Sequence, residues 1–583
     1  MIQLNVHYIL MNNILKHITT PSLRGCVGVG LLLLSSALYA QNDGGIQLHG
    51  SIQSDILVPE NDDKIGTSKT NEDVLTNTYV DLNMTSKYVD AGTRFEYLDH
   101  PLPGFEKDFE GWGVPHLYVK GKWNGMELTL GDYYEQFGSG LILRTYEERS
   151  LGIDNALRGA RLKVNTIKGV NLTALAGVQR IYWDWPTESK IFGADAEISL
   201  EELCKGLRDK DVSWMIGGSW VLKNEKSEYG DYGKTYVTGT DYYLNVPNKV
   251  NAFDFRTRFQ KANFSVLGEY AWKTDDPSFD NGYIYRNGNV ALLSASYSKT
   301  GFSALVQAKR SEDMAFRSQR GRAGTAAFIN NMPAFSYQHT YALPALYPYA
   351  TQAAPGEWAF QGEFGYNFKR KTALGGKYGT KVKLNVSHVR GLDKDITAPA
   401  FAETQSLAGT KGYSAPFFKM GDVYYQDINL QVEKKFTKDF KLNLMYMNQE
   451  YNKTQVEGEG GTIRTNIFVA EGKYQFSPKT TLRMEAQYLT TPHESDDWWY
   501  GLAELSVLPH LMFTVSDMYG RPFLNGAYTS KEHYYNGSVT YTVGAHRIMA
   551  GYTRTRAGYN CSGGVCRYVP AQKGIQLSYN YNF

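Results

Sequence analysis

The densest set of charged side chains lies in LTLGDYYEQFGSGLILRTYEERSLGIDNALRGARLKV, residues 128–164. Arg144, Glu147, Glu148, Arg149, Asp154 and Arg158 fall between two stretches that read as strands, and Arg161 and Lys163 follow on the second of them. Guanidinium and carboxylate groups at this density can pair to hold a loop in shape, or line a narrow aqueous passage and select what crosses it. Gly138, Gly140 and Gly152 allow bends that other residues resist. GLILR is apolar for an exposed loop, so it is expected to pack against something. We therefore expect 137–157 to fold inward as a constriction or plug, its charges paired with wall charges such as Arg161 and Lys163. The competing reading is an outer loop carrying surface ion pairs.

A second cluster is aromatic. FSYQHTYALPALYPYATQ, residues 335–352, holds Phe335, Tyr337, Tyr341, Tyr347 and Tyr349 with Pro344 and Pro348. Rings on a stiff loop can stack on sugars or apolar ligands; packing of the loop onto itself or onto the plug is the expected role. Upstream, RSQRGRAG brings Arg317, Arg320 and Arg322 together, a positive patch that would favour anionic solutes. NCSGGVC places Cys561 and Cys566 close enough for a small disulfide loop in an oxidising compartment, while Cys204 has no evident partner.

Catalysis is not expected, and neither is a cofactor. No nucleophile elbow, HExxH or phosphate loop is present. The eleven histidines are scattered without metal spacing. HESDD, 493–497, reads as an exposed acidic loop rather than a metal site. The formal charge of +2 argues against a nucleic-acid partner.

The elements that must position these residues show a period of two. TLRMEAQY sets Leu482, Met484 and Ala486 against Arg483, Glu485 and Gln487. KVKLNVS sets Val382, Leu384 and Val386 against Lys381, Lys383 and Asn385, and AFDFRTRFQ sets Phe253 and Phe255 against Asp254 and Arg256. Such strands have one apolar and one wet face. Short connectors at 86–91, 124–125, 168–169, 260–263, 298–301, 436–440, 477–480, 508–510 and 544–546 alternate with long ones, the longest being 312–356. Short turns on one rim and long loops on the other predict an all-β chain: a single large antiparallel transmembrane β-barrel of about 24 strands (about 22–26), with periplasmic turns and extracellular loops. A secreted β-sandwich or propeller would need repeats or two buried faces, and neither is seen.

Lys16 and Arg24 precede the apolar run 26–40, which ends in SALYA. This reads as a secretory leader at 1–40, leaving 41–583 as the barrel. The chain ends in GIQLSYNYNF, whose Ile575, Leu577, Tyr579, Tyr581 and Phe583 would face lipid and join the aromatic girdle. A final strand ending in Phe resembles the signal read by the barrel-assembly machinery. Outer-membrane lipid and that machinery are the expected partners, in a Gram-negative outer membrane. The expected function is a porin-like channel or transporter for polar solutes, constricted near 137–157. The alternative is a non-conducting barrel that serves a surface or secretion complex.

GDYYEQFGSGLILRTYEERSLGIDNALRGARL together with HTYALPALYPYATQ resembles an uncharacterised outer-membrane β-barrel family of the Bacteroidota, a domain of unknown function. The resemblance covers essentially the whole mature chain. It implies outer-membrane location and no assigned activity, and it transfers no catalytic residue. GD followed by FGSGL is similar, more loosely, to motifs in barrel exporters and porin-like proteins of the capsule-assembly and alginate-export kind, a likeness of fold alone.

Overall fold

A computed structural model describes residues 45–583 except 69, 227–234, 238–239, 243, 400–404, 494 and 525. The expected leader at 1–40 lies outside the described residues, as does Glu494 of the acidic loop. Twenty-four antiparallel strands form one sheet that closes on itself. The first strand, Gln47–Pro59, pairs with the second, Leu75–Thr85, and with the last, Gln572–Asn582. Closure leaves no sheet edge, so every wall strand has two hydrogen-bonded neighbours, as a bilayer core requires. Among the described residues no helix is long and apolar enough to cross a membrane, which says nothing of a β-barrel.

Alternation puts the faces where the period of two demands. Met484 and Leu384 are 55% and 37% exposed on the outer face, whereas their neighbours Glu485 and Asn385 are 7% and 2% exposed inside. Connector length also alternates around the barrel. On the short-connector rim two links lack a hairpin signature. One, 200–211, folds into two short helices, Leu200–Leu203 and Lys205–Arg208; the other is 369–379.

The inner face is not uniformly polar. Toward the long-loop rim, Leu175, Ile191, Val221, Val250, Val290, Leu292 and Val389 are buried in the barrel's interior. The strand Gly288–Lys299 shows the change along its length. Val290 and Leu292 face in near the long-loop end, and Ser294, Ser296 and Ser298 continue the same face toward the other rim. A barrel this wide cannot fill its own lumen with wall side chains. An apolar inner belt therefore needs other chain segments to cover it.

Candidate functional site

Two loops supply that cover. The first is 134–156. It leaves the strand Met126–Tyr133 and doubles back at once: Phe137 N–H donates to Leu143 O at 3.0 Å, and Gln136 bridges Arg144. Gly138 makes the turn possible, with φ 52°; a Cβ there would lie 2.4 Å from Glu269 Oε1. That carboxylate, on the wall strand Phe264–Lys273, accepts from Ser139 N at 3.0 Å and from the Ser139 hydroxyl. The GLILR segment answers to its composition. Leu141, Ile142 and Leu143 are fully buried with Phe137 against the apolar inner belt.

The second is 313–356, the longest connector. Its start forms a hairpin in which Ile329 N–H donates to Phe316 O at 2.8 Å and Ser318 N–H to Ala327 O at 2.8 Å. The loops are sewn together: Arg144 N–H donates to Ile329 O at 2.8 Å, and Asn330 Nδ2 donates to Leu141 O at 2.8 Å and Met314 O at 2.7 Å. The aromatic run then crosses the lumen along the wall. Tyr337 N–H donates to Ser387 Oγ at 3.2 Å, Tyr341 OH to Glu471 at 3.0 Å, and Leu343 N–H to Gln487 at 2.9 Å. Tyr347 stacks on Tyr451 and Tyr349 on Tyr425, with centroids 5.8 and 5.3 Å apart. Phe335 is buried beneath the Lys309 ammonium, which lies 5.5 Å from its ring centre. All five rings pack the loop onto the wall.

Inward-facing ions serve this plug as anchors. Lys273 Nζ donates to Ala315 O at 2.6 Å, and Lys309 Nζ to Pro333 O at 2.5 Å while pairing with Glu357 at 2.8 Å. Lys223 pairs with Asp276 at 2.7 Å. The expected positive patch does not exist. Arg317 is held by Asp280 at 2.7 Å, Arg320 is buried on Glu225 at 2.9 Å, and only Arg322 remains exposed. The patch fails because its arginines turn inward to carboxylates on other elements.

The predicted charge cluster divides. Arg149 pairs with Asp81 at 2.8 Å and Glu147 at 2.6 Å, over the Tyr79 ring. Asp154 receives Arg94 at 2.9 Å and Arg180 at 2.5 Å; Arg180 also binds Glu96 at 2.7 Å, and Arg94 contacts Glu147. Burial alone would raise the Asp154 pKa. The Arg180 and Arg94 guanidinium groups outweigh it and hold the carboxyl below its ordinary value. Glu148 accepts from Ser150 N at 3.2 Å. Arg161 and Lys163 both reach Glu135, at 3.2 and 2.8 Å. Oxygens of Glu96, Glu147 and Asp154 lie close enough for a cation, but Arg94 and Arg180 already fill that position.

Two expected lumen residues depart from the reading. Arg144 has no carboxylate within pairing distance among the described residues; its guanidinium stacks 4.8 Å from the Tyr146 ring centre. Arg158 is not in the lumen. Its strand neighbour Leu157 is buried inside, so Arg158 points outward, binding Asp132 at 2.7 Å and stacking 3.9 Å from the Trp185 ring centre. Arg94, Arg180, Lys273, Lys309 and Glu269, which do much of the anchoring, were not singled out by the sequence. Their partners lie far along the chain or on other elements, and no local spacing marks them.

A third element lies over both loops. Cys561 and Cys566 form a disulfide across the hairpin Gly558–Ser562 and Val565–Val569. Its tip accepts from Thr351 N–H at Gly564 O, 2.9 Å, and Ser562 Oγ reaches Glu148 at 3.3 Å. Arg567 donates to Ser150 O at 3.0 Å. Cavities remain to either side of the first loop. One of about 700 Å³ meets Arg144, Tyr337, His339 and Glu363. One of about 350 Å³, toward the short-connector rim, meets Gln136, Gly138, Lys163, Asp195 and Arg256.

Closed wall, apolar outer face and inward-folded loops define an outer-membrane-type β-barrel with two of its own loops packed in the lumen. The chain belongs to the family of unknown function DUF6029, whose model matches residues 23–583. No curated protein sequence matches it. Among solved structures it is similar to the siderophore receptor PirA of Pseudomonas aeruginosa, at 8% identity over 92% of this chain and 80% of that one, with a TM-score of 0.40. It is also similar to OccAB4 of Acinetobacter baumannii, at 8% identity over 93% and 99%, TM-score 0.33. OccK8 (OprE) of P. aeruginosa matches at 11% identity over 92% and 98%, TM-score 0.32.

Proposed function

We propose that this is an outer-membrane protein of a Gram-negative bacterium, of the Bacteroidota by the resemblance of its motifs, with the long loops at the cell surface. Its barrel is sealed, and it acts through those loops as a binding or partner-holding surface rather than as a diffusive pore. The observation that carries this is the burial of Phe137, Leu141, Ile142 and Leu143 in the lumen. Exposing one such side chain costs about 1.5–3 kcal/mol, so freeing the four costs roughly 6–12 kcal/mol. At about 1.4 kcal/mol per factor of ten, spontaneous opening is rarer than about one molecule in 10⁴. At the long-loop end, polar groups of the inner face such as Lys273, Lys309, Ser387 and Gln487 bind plug backbone instead of lining a hydrated path. No catalysis enters this reading.

Planar-bilayer recording tests it. The purified protein should insert without a steady conductance, and a stable open-channel current from the unmodified chain would sink the proposal. A gated channel is the second reading. It is favoured by the two cavities that meet a single hairpin, 135–144, from different sides. A current that appears only on adding a solute would select it.

A further inference from the structure

At the long-loop end, the wall of one cavity holds an arginine with no ion-pair partner among the described residues. The cavity holds about 320 Å³ and lies among the connectors 453–461, 521–531 and 556–571. Its floor is the plug, through Leu346, Tyr347 and Pro348. Arg556 stands in its wall. The guanidinium donates from Nη1 to Ala557 O at 2.8 Å and from Nη2 to Leu346 O at 3.3 Å, and among the described residues it has no carboxylate within 4.0 Å. Arg554, two residues earlier, shows the contrast: Asp62 and Glu532 hold it at 2.9 and 3.1 Å. Arginine carries five N–H donors. The two carbonyl bonds of Arg556 leave three for an oxyanion. Burial pulls the Arg556 pKa down, and a bound anion would offset that cost.

The rest of the lining sets the shape of the anion. Tyr347, Trp498, Phe523, Tyr559 and Tyr568 line it with aromatic rings, and all but Phe523 carry a polar group. Lys453 and Glu457, paired at 3.5 Å, also line the space, with Glu459 exposed beside them. Aromatic rings interspersed with hydrogen-bonding groups suit a ligand ring that is apolar on its faces and hydroxylated at its edge. The volume sits at the small end of ligand sites, about 300–1,000 Å³, and suits a small ligand. A guanidinium matches a carboxylate with two parallel hydrogen bonds.

We propose that this cavity binds a sugar acid, with the pyranose against the aromatic walls and its carboxylate on Arg556. This rests on the reading that the long loops face the outside, because the ligand must enter between them. A free monosaccharide and the terminal residue of an acidic polysaccharide share this chemistry.

The test is calorimetric titration of the full barrel in detergent micelles with D-galacturonate, its trimer, D-glucose and benzoate. Galacturonate should bind saturably, with glucose and benzoate at least about tenfold weaker. Arg556→Gln should weaken galacturonate by at least about tenfold while the barrel keeps its heat-modifiable band, and Arg556→Lys should fall between. Should Arg556→Gln fail to fold, Tyr559→Ala on the outer hairpin should weaken binding instead. Tighter binding of the trimer supports the site with a chain end as its source, and equal binding supports it with the free sugar. Absence of saturable binding by both acids overturns the proposal, as does glucose binding as tightly as galacturonate, benzoate binding in its place, or an unchanged affinity in Arg556→Gln. Fluorescent galacturonate on intact cells separates the two readings. Binding to the purified protein but not to cells removes the assigned orientation and leaves the site standing.

Discussion

Lys309 and Glu357 face each other at 2.8 Å on neighbouring strands, and neither has any exposed side-chain surface. The same ammonium donates to Pro333 O, and the same carboxylate accepts from Gln352 N at 2.8 Å. One ion pair thus grips the longest loop at two points. Lys309→Met strands a buried carboxylate and should cost about 3–5 kcal/mol, because removing one partner of a buried pair leaves the other uncompensated. The double variant Lys309→Met, Glu357→Leu should recover only part of that loss, because it removes the stranded charge but leaves Pro333 O and the Gln352 N–H without partners. Chemical denaturation of the refolded barrel reads both, and a single variant as stable as the unmodified chain would show that the pair does not hold the plug.

The plug has two loops, so it should open in two stages. Replacing 137–143 by a short Gly-Ser linker leaves 313–356 across the lumen and should give only a small conductance. Replacing 316–332 as well should give a large one. The wall should still form, since its hydrogen bonds lie in other strands. Single-channel recording of the two variants checks the order; a full-size pore from the first replacement alone would mean that the long loop does not seal the barrel.

The wall register predicts unequal penalties on adjacent residues. Met484 faces outward, so Met484→Arg should cost about 2–4 kcal/mol if it lies near the bilayer midplane. Lys383 projects into the unfilled lower lumen, where Lys383→Gln should change stability by under about 0.5 kcal/mol. Urea titration in lipid vesicles measures both. Similar costs at the two sites would put the strands one residue out of register.

Asp313 should make plug stability depend on pH. Burial raises its carboxyl from 3.8 to about 7; Lys273, Arg286 and the hydrogen bond from Asn281 oppose the rise, and Asp276 adds to it. The folded chain keeps a proton that the unfolded chain releases above its ordinary value. Stability from this group is therefore full at low pH, falls as pH rises from about 4 to about 7, and stays low above that. Asp313→Asn should remove that slope. Thermal melting from pH 5 to pH 8.5 tests it, and parallel slopes in both proteins would assign the dependence to other groups.

The wall was legible because lipid outside and polar groups inside force a period of two on every strand. Met484 and Glu485 obey it, and so does the strand that ends the sheet. The missed connectors at 200–211 and 369–379 lack the Asn-Gly type of signal because they are too long to need a tight turn. The second half of the plug was read as an outer loop for a different reason. A long connector is expected outside, and what draws 313–356 inward is the apolar inner belt. That belt does leave a trace: VALL at 290–293 and WVL at 220–222 are apolar on both faces of a strand. Partners such as Lys309 for Pro333, or Glu269 for Ser139, join positions far apart in the chain. Only the folded register brings them together. Arg158 shows the same limit from the other side, since a one-residue step decides between lumen and lipid.

The disulfide-bridged hairpin joins the penultimate strand to the last, and the last strand meets the first. The hairpin also lies on both plug loops through Gly564, Ser562 and Arg567. One hairpin therefore serves both the seam and the latch of the plug, so that a change that displaces it reaches the wall and the lumen together.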